Sequence, residues 1–109
     1  MEIKVFSRQS CPNCKTVKDG IQNLLSNSNF ASCVKVTYYD VDSERGLAES
    51  AYREVRSIPT TIVEDGNKEI ARWDGTIPKV DDLATQIKRQ NSVLHSHLDL
   101  PLATSLKRG

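Results

Sequence analysis

Two of the three cysteines stand three apart, as Cys11-Pro12-Asn13-Cys14, and this pair is the strongest chemical signal in the sequence. Pro12 suits the first position of a helix, because the N–H it lacks would be unpaired there anyway, so Cys11 reads as the N-cap and Cys14 falls in the first turn. At an N-cap a thiol meets unpaired backbone N–H groups and the positive end of the helix dipole, which together favour the reactive thiolate. Lys15 and Lys18 add positive charge nearby. The spacing lets Cys14 close a disulfide onto Cys11 without moving the helix. The expected cycle is thiol–disulfide exchange: Cys11 attacks a target disulfide, and the more buried Cys14 resolves the mixed disulfide. Two other uses suit the same pair, an unreactive pair of small buried residues or half of a tetrahedral zinc site. The usual structural zinc site needs four ligands, so no metal is expected. Of the remaining candidates, Cys33 at the start of a strand reads as an inert, partly buried residue, and His95-Ser96-His97 as a solvated pair.

The elements that must position this pair follow from the apolar patterning. Ile3-Lys4-Val5-Phe6 reads as a first strand, and a helix from Pro12 carries Val17, Ile21, Leu24 and Leu25 on one stripe until Ser26-Asn27-Ser28-Asn29 breaks it. Val34 to Tyr39 is β-branched and aromatic, a second strand, with Ser43 as cap of a second helix from Glu44 to about Arg56. Leu47, Ala48, Ala51, Tyr52 and Val55 have the spacing of that helix's buried face. Strand, helix, strand implies parallel pairing of the first two strands side by side. Asp65-Gly66 between Thr60–Val63 and Glu69–Trp73 signals a tight antiparallel hairpin. A third helix from Pro78 to Gln90, with Val80, Leu83, Ala84 and Ile87 on one face, closes a domain over residues 1–90. Residues 91–109 form a C-terminal extension, flexible or helical.

Composition narrows the function classes. A chain of 109 residues, 38% hydrophobic and 27% charged, is sized for one soluble globular domain. Its net charge of +1 gives no field that argues for nucleic acid or a membrane surface. No apolar run approaches the roughly 20 residues of a bilayer span, and Met1 to Val5 opens a strand rather than a signal peptide. Three cysteines are too few, and odd in number, for a disulfide framework, so a cytoplasmic location is expected.

The dithiol, the Ile58-Pro59 step just before the third strand and the strand order together resemble the thioredoxin superfamily over residues 1–90. Within it, the likeness is to glutaredoxins and to the small glutaredoxin-like redoxins that serve ribonucleotide reductase (NrdH-type). The resemblance implies an α/β fold, thioredoxin-like of the glutaredoxin type, βαβαββα, with a four-stranded mixed sheet flanked by three helices. It also implies that Pro59 is cis and faces the dithiol, with the backbone of Ile58 pairing to a substrate segment as an added strand. Arg8 stands where these redoxins carry a basic residue. Asn13 stands where glutaredoxins usually have Tyr. Trp73-Asp74-Gly75-Thr76-Ile77-Pro78 resembles the Trp-Ser-Gly-Phe-x-Pro stretch of the reductase-serving redoxins in its Trp, Gly and Pro. The expected substrate-binding set is therefore Arg8, Ile58, Pro59, Trp73, Asp74 and Gly75, with Cys11 and Cys14 catalytic and Pro12, Asn13 and Lys15 supporting. Thioredoxins proper carry Trp before the first cysteine, Gly-Pro between the two, and a buried Asp in the first strand; here those places hold Ser10, Pro12-Asn13 and Val5. Without that carboxylate, resolution by Cys14 is expected to rely on solvent, Lys15 or Lys18.

The resemblance implies a monomeric, cofactor-free thiol-disulfide oxidoreductase that reduces protein disulfides, ribonucleotide reductase among the candidate targets. Glutathione or a thioredoxin-reductase-like flavoenzyme would supply electrons. The competing readings are a non-catalytic docking module of the same fold, and a metal or iron–sulfur carrier using the same cysteines.

Overall fold

Apolar residues on both faces leave Glu2–Ser7 (β1) with no solvent face: Ile3, Val5 and Phe6 are fully buried and Lys4 nearly so. A strand covered on both faces belongs in the middle of a sheet, and β1 is hydrogen-bonded on both edges. It runs parallel to Lys35–Asp40 (β2) and antiparallel to Thr60–Asp65 (β3), and β3 pairs antiparallel with Lys68–Asp74 (β4), in the order β2-β1-β3-β4. The structure, a computed structural model, describes residues 1–27, 29–66 and 68–89. The expected Asp65-Gly66 hairpin is present: Gly66 takes φ 66° between the paired Asp65 and Lys68, where glycine has no Cβ to clash.

Among the described residues three helices flank the sheet, giving the expected mixed α/β architecture: Pro12–Ser26 (α1), Glu44–Tyr52 (α2) and residues 80–89 (α3), with a 3₁₀ turn at Asn29–Ser32. On one face, Ile3, Val5 and Val63 of the sheet pack with Val17 and Ile21 of α1 and with Leu83 and Ile87 of α3. On the other, Phe6, Tyr39, Val41 and Ile62 form a second cluster, in which the Phe6 and Tyr39 rings stack 5.0 Å apart. In α3, Leu83 and Ile87 are buried as the periodicity predicts, while Val80 at the helix start is exposed. Gln90, and the extension 91–109 with His95 and His97, lie outside the described residues.

The second helix departs from its expected face and length. Leu47 and Tyr52 are 63% and 79% exposed, Ala48 and Ala51 are exposed too, and the buried positions are Gly46 and Ser50. The reason is a close approach. A Cβ on Gly46 would overlap the Asp40 carbonyl at the end of β2, so the helix docks by its backbone and turns its larger apolar side chains outward. Ser43 caps it as expected, accepting from the Gly46 N–H at 3.0 Å and donating to the Asp40 carbonyl at 2.6 Å. The helix stops at Tyr52 rather than near Arg56. The Glu54 N–H bonds the Ala51 carbonyl and the Val55 N–H the Ser50 carbonyl, the Schellman pattern, with Glu54 at φ 56° in the position usually given to glycine.

Charge is buried where α2 meets the sheet. Glu64, 2% exposed, bonds Lys4 Nζ at 3.3 Å through one carboxylate oxygen and pairs with the Arg53 guanidinium through the other. Arg53 also lies 3.7 Å from Glu49, and its carbonyl accepts from Arg72 Nη2 at 2.6 Å. Truncating one member of such a cluster strands buried charge, which makes it more a constraint on geometry than a source of net stability.

Two substitutions test the α2 geometry by urea denaturation. Glu54→Gly removes a left-handed strain of about 1 kcal/mol and is expected to raise stability by roughly half to all of that amount. Gly46→Ala forces the helix off β2 and is expected to lower stability by about 1–3 kcal/mol. An unchanged midpoint in either would contradict the packing described.

Candidate active site

Strand register gathers the chemistry at one end of the sheet. Ser7 pairs with Asp40, Phe6 with Thr60 and Thr60 with Asp74, so the C-terminal ends of β1, β2 and β4 and the start of β3 share one edge. The loop and dithiol that follow β1, the Asp40–Asp42 turn after β2, the Ile58–Pro59 step before β3 and the Trp73–Gly75 segment closing β4 all lie there.

Cys11 is the N-cap of α1, in extended conformation, and its sulfur accepts from the Cys14 N–H at 3.1 Å. The Cys11 N–H itself donates to the Arg8 carbonyl at 3.2 Å, tying the loop back on itself. The first turn of α1 carries no acidic residue to oppose negative charge on the sulfur. Cys11 and Cys14 are joined as a disulfide with Cα atoms 5.2 Å apart. Cys11 is partly exposed and Cys14 only 4% exposed, the asymmetry expected of an attacking and a resolving thiol. Pro12, Asn13 and Lys15 are exposed on the same turn.

A groove of about 600 Å³ opens beside the pair, with Cys11, Cys14 and Val5 among its walls and Lys15, Lys18, Asp19 and Asp40 contributing charge of both signs. Tyr38 forms part of its far wall. Lys18 Nζ stands 5.5 Å from the centre of the Tyr38 ring, and burial, followed by the charge of Asp19, pushes the phenol pKa up. Sequence pattern alone assigns Tyr38 and Asp40 no role in the site. The signal that points to them is the pairing of β2 with β1, which sets Tyr38 opposite Val5 and Asp40 opposite Ser7.

The other expected site residues are placed as follows. Arg8 reaches the groove, but its guanidinium is engaged by Asp42 at 2.9 and 3.1 Å; that hydrogen bond, and then the charge of Asp42, raise its pKa. Ile58–Pro59 is cis, and Pro59 is buried. Gly75, at φ 71°, donates its N–H to the Pro59 carbonyl at 2.8 Å, so these two segments are held together. A Cβ on Gly75 would come within 2.9 Å of the Ser57 Cβ, which makes glycine a packing requirement here. Trp73 packs against the apolar cluster under α1 and α3, and Asp74 accepts from Arg72 Nη1 at 3.4 Å, so both have structural partners. Cys33 is exposed rather than partly buried, because it follows the 3₁₀ turn instead of entering β2, and its sulfur lies 3.3 Å from the Phe30 carbonyl. Among the described residues no group of three or more His, Cys, Asp or Glu side chains is placed to hold a metal ion, and no helix is long and apolar enough to cross a membrane.

Known proteins agree with this architecture. A family described as "Thioredoxin domain" matches residues 1–88. No curated protein matches the chain. Among solved structures, thioredoxin 1 of the thermophilic eubacterium Thermosipho africanus is 24% identical, covers 87% of this chain and 99% of its own, and superposes with a TM-score of 0.71. Thioredoxin-2 of the malaria parasite, described as a component of its protein secretion machinery, is 22% identical over 81% of each chain with a TM-score of 0.70. The thioredoxin of Fasciola hepatica is 23% identical, covering 81% of this chain and 78% of its own at 0.64. With the fold shared, the dithiol seated at the start of α1 and the family match spanning most of its length, the chain belongs to the thioredoxin-domain family.

Proposed function

We propose that this protein is a cytoplasmic dithiol oxidoreductase that reduces protein disulfides, Cys11 attacking and Cys14 resolving. The observation that carries this reading is the pairing of a partly exposed N-cap cysteine with a buried cysteine one turn later, joined as a disulfide. In the cycle, Cys11 thiolate attacks one sulfur of the target disulfide; the other leaves as a thiolate and is protonated by water. Cys14 then displaces the first, re-forming the Cys11–Cys14 bond and releasing a dithiol target. Electrons re-enter by reduction of that bond.

The substrate strand is proposed to lie along the edge formed by Ile58–Pro59 and Trp73–Gly75, whose connection through the Gly75 N–H to the Pro59 carbonyl gives it a fixed shape. Arg8 is proposed to face the target only by giving up part of its bonding to Asp42. Asn13 in place of the usual tyrosine, and the Trp73-Asp74-Gly75-Thr76-Ile77-Pro78 run, favour a redoxin of the reductase-serving kind, monomeric and without a cofactor, over a glutathione-dependent one. Ribonucleotide reductase is the candidate target.

Cys11→Ser is expected to lose all turnover of a protein disulfide. Cys14→Ser is expected to stop after the first step and to accumulate a mixed disulfide visible by mass spectrometry. Retained turnover in the first variant, or no adduct in the second, would reverse the roles or remove them. With oxidised protein as the substrate, NADPH and thioredoxin reductase are expected to support turnover while glutathione with its reductase supports little. Fast turnover with glutathione would instead place the protein with the glutaredoxins, despite Asn13.

A further inference from the structure

One rung of the sheet reaches the groove beside the dithiol through Val5 and Tyr38. Val5, at the place where thioredoxins hold a buried carboxylate, is paired on one side with Tyr38 and on the other with Thr61, and Thr61 is paired in turn with Trp73. Directly paired residues share a face of the sheet. Val5 and Val63 pack with α1, and Trp73 packs against the same cluster; Thr61, two residues before Val63, therefore points to the α1 side. Thr61 is 0% exposed, and its Oγ1 has no hydrogen-bond partner among the described residues. Its neighbour Thr60 shows the contrast, donating to the Ser57 carbonyl at 2.7 Å.

A buried hydroxyl without a partner calls for an explanation in another state of the molecule. The buried cluster on this face is aliphatic, and the Trp73 indole beside Thr61 can only donate. Cys14, buried and sharing the groove wall with Val5, is the group there whose accepting power changes with state. In the disulfide its sulfur is a weak acceptor; reduced and then deprotonated, it is a thiolate, which accepts strongly.

We propose that Thr61 Oγ1 donates a hydrogen bond to the Cys14 sulfur when the disulfide opens, standing in for the carboxylate that Val5 replaces. The inference rests on the redox reading of the dithiol. During resolution the Cys14 proton passes to water in the groove. The thiolate attacks Cys11 Sγ, the Cys11–Cys14 bond forms, and the bond from Cys11 to the target sulfur breaks. The target sulfur departs with the electron pair and takes a proton from water. Thr61 holds the thiolate through this step and favours the reduced form over the disulfide.

The test compares Thr61→Val with Thr61→Ser in the full chain. In a Cys11→Ser background, titration of the Cys14 thiolate by its ultraviolet absorbance is expected to show a pKa about one unit higher in the valine variant than in the parent. With both cysteines intact, equilibration against dithiothreitol at a pH above the Cys14 pKa is expected to move about tenfold toward the protein disulfide, or about 30 mV more reducing. The serine variant, which keeps the hydroxyl, is expected to stay with the parent in both measurements. A valine variant that matches the parent, or a serine variant that shifts as far as valine, overturns the proposal. Should the valine variant fail to fold by its melting curve, Thr61→Ala removes the same hydroxyl and is held to the same outcomes. A parent that does not interconvert with dithiothreitol would remove the redox reading itself. A parent that cycles while the variants are indifferent would remove only the role of Thr61.

Discussion

Hydrogen bonding along both edges of β1 is the constraint from which the site follows. A parallel neighbour on one side and an antiparallel one on the other leave the strand a single register, Val5 between Tyr38 and Thr61 and Ser7 beside Asp40. With both faces also covered, a slip of one residue would exchange Ile3 and Val5 for Lys4 and Phe6 against α1, which neither cluster could absorb. The position at which the chain leaves the sheet is thereby fixed, and with it the point at which Cys11 starts α1. The dithiol follows directly from the strand that is paired on both edges.

The two faces of that strand solve different problems. Toward α1 and α3 the cluster of buried side chains is aliphatic, with the buried Thr61 beside it, and charged groups line the groove next to the disulfide. Toward α2 the sheet carries a stacked aromatic pair and a carboxylate bonded by two cations. Glu64 thus ties β1, β3 and the end of α2 at a place remote in sequence from the cysteines. Arg72 extends the tie to β4 through the Arg53 carbonyl, so β1, β3, β4 and the end of α2 are linked by polar contacts.

Much of this was legible in the residues, because the signals were local. Cys11-Pro12 specifies a helix start by the chemistry of two neighbours, Asp65-Gly66 a hairpin, and the spacing of Val17 with Ile21 a buried stripe. The α2 face was not legible. Leu47, Ala48, Ala51 and Tyr52 make the better apolar stripe, and only the carbonyl of Asp40 pressed against Gly46 shows why they are turned outward. The helix end near Tyr52 was hidden for a related reason, since Glu54 occupies a left-handed position that glycine would have announced. The bonds of Glu64 to Lys4 and Arg53, and of Arg8 to Asp42, join residues far apart in sequence, and no short-range pattern reveals such pairs.

The disulfide spans a sequence separation of only three residues, inside the first turn of one helix. A crosslink stabilises a fold chiefly by shrinking the unfolded ensemble, in proportion to the logarithm of the loop it closes, and this loop is close to the smallest there is. Opening and closing it therefore exerts little leverage on whether the rest of the chain is folded. The sheet, its two apolar clusters and the Glu64 contacts hold the architecture in either redox state, leaving the sulfur chemistry largely uncoupled from global unfolding.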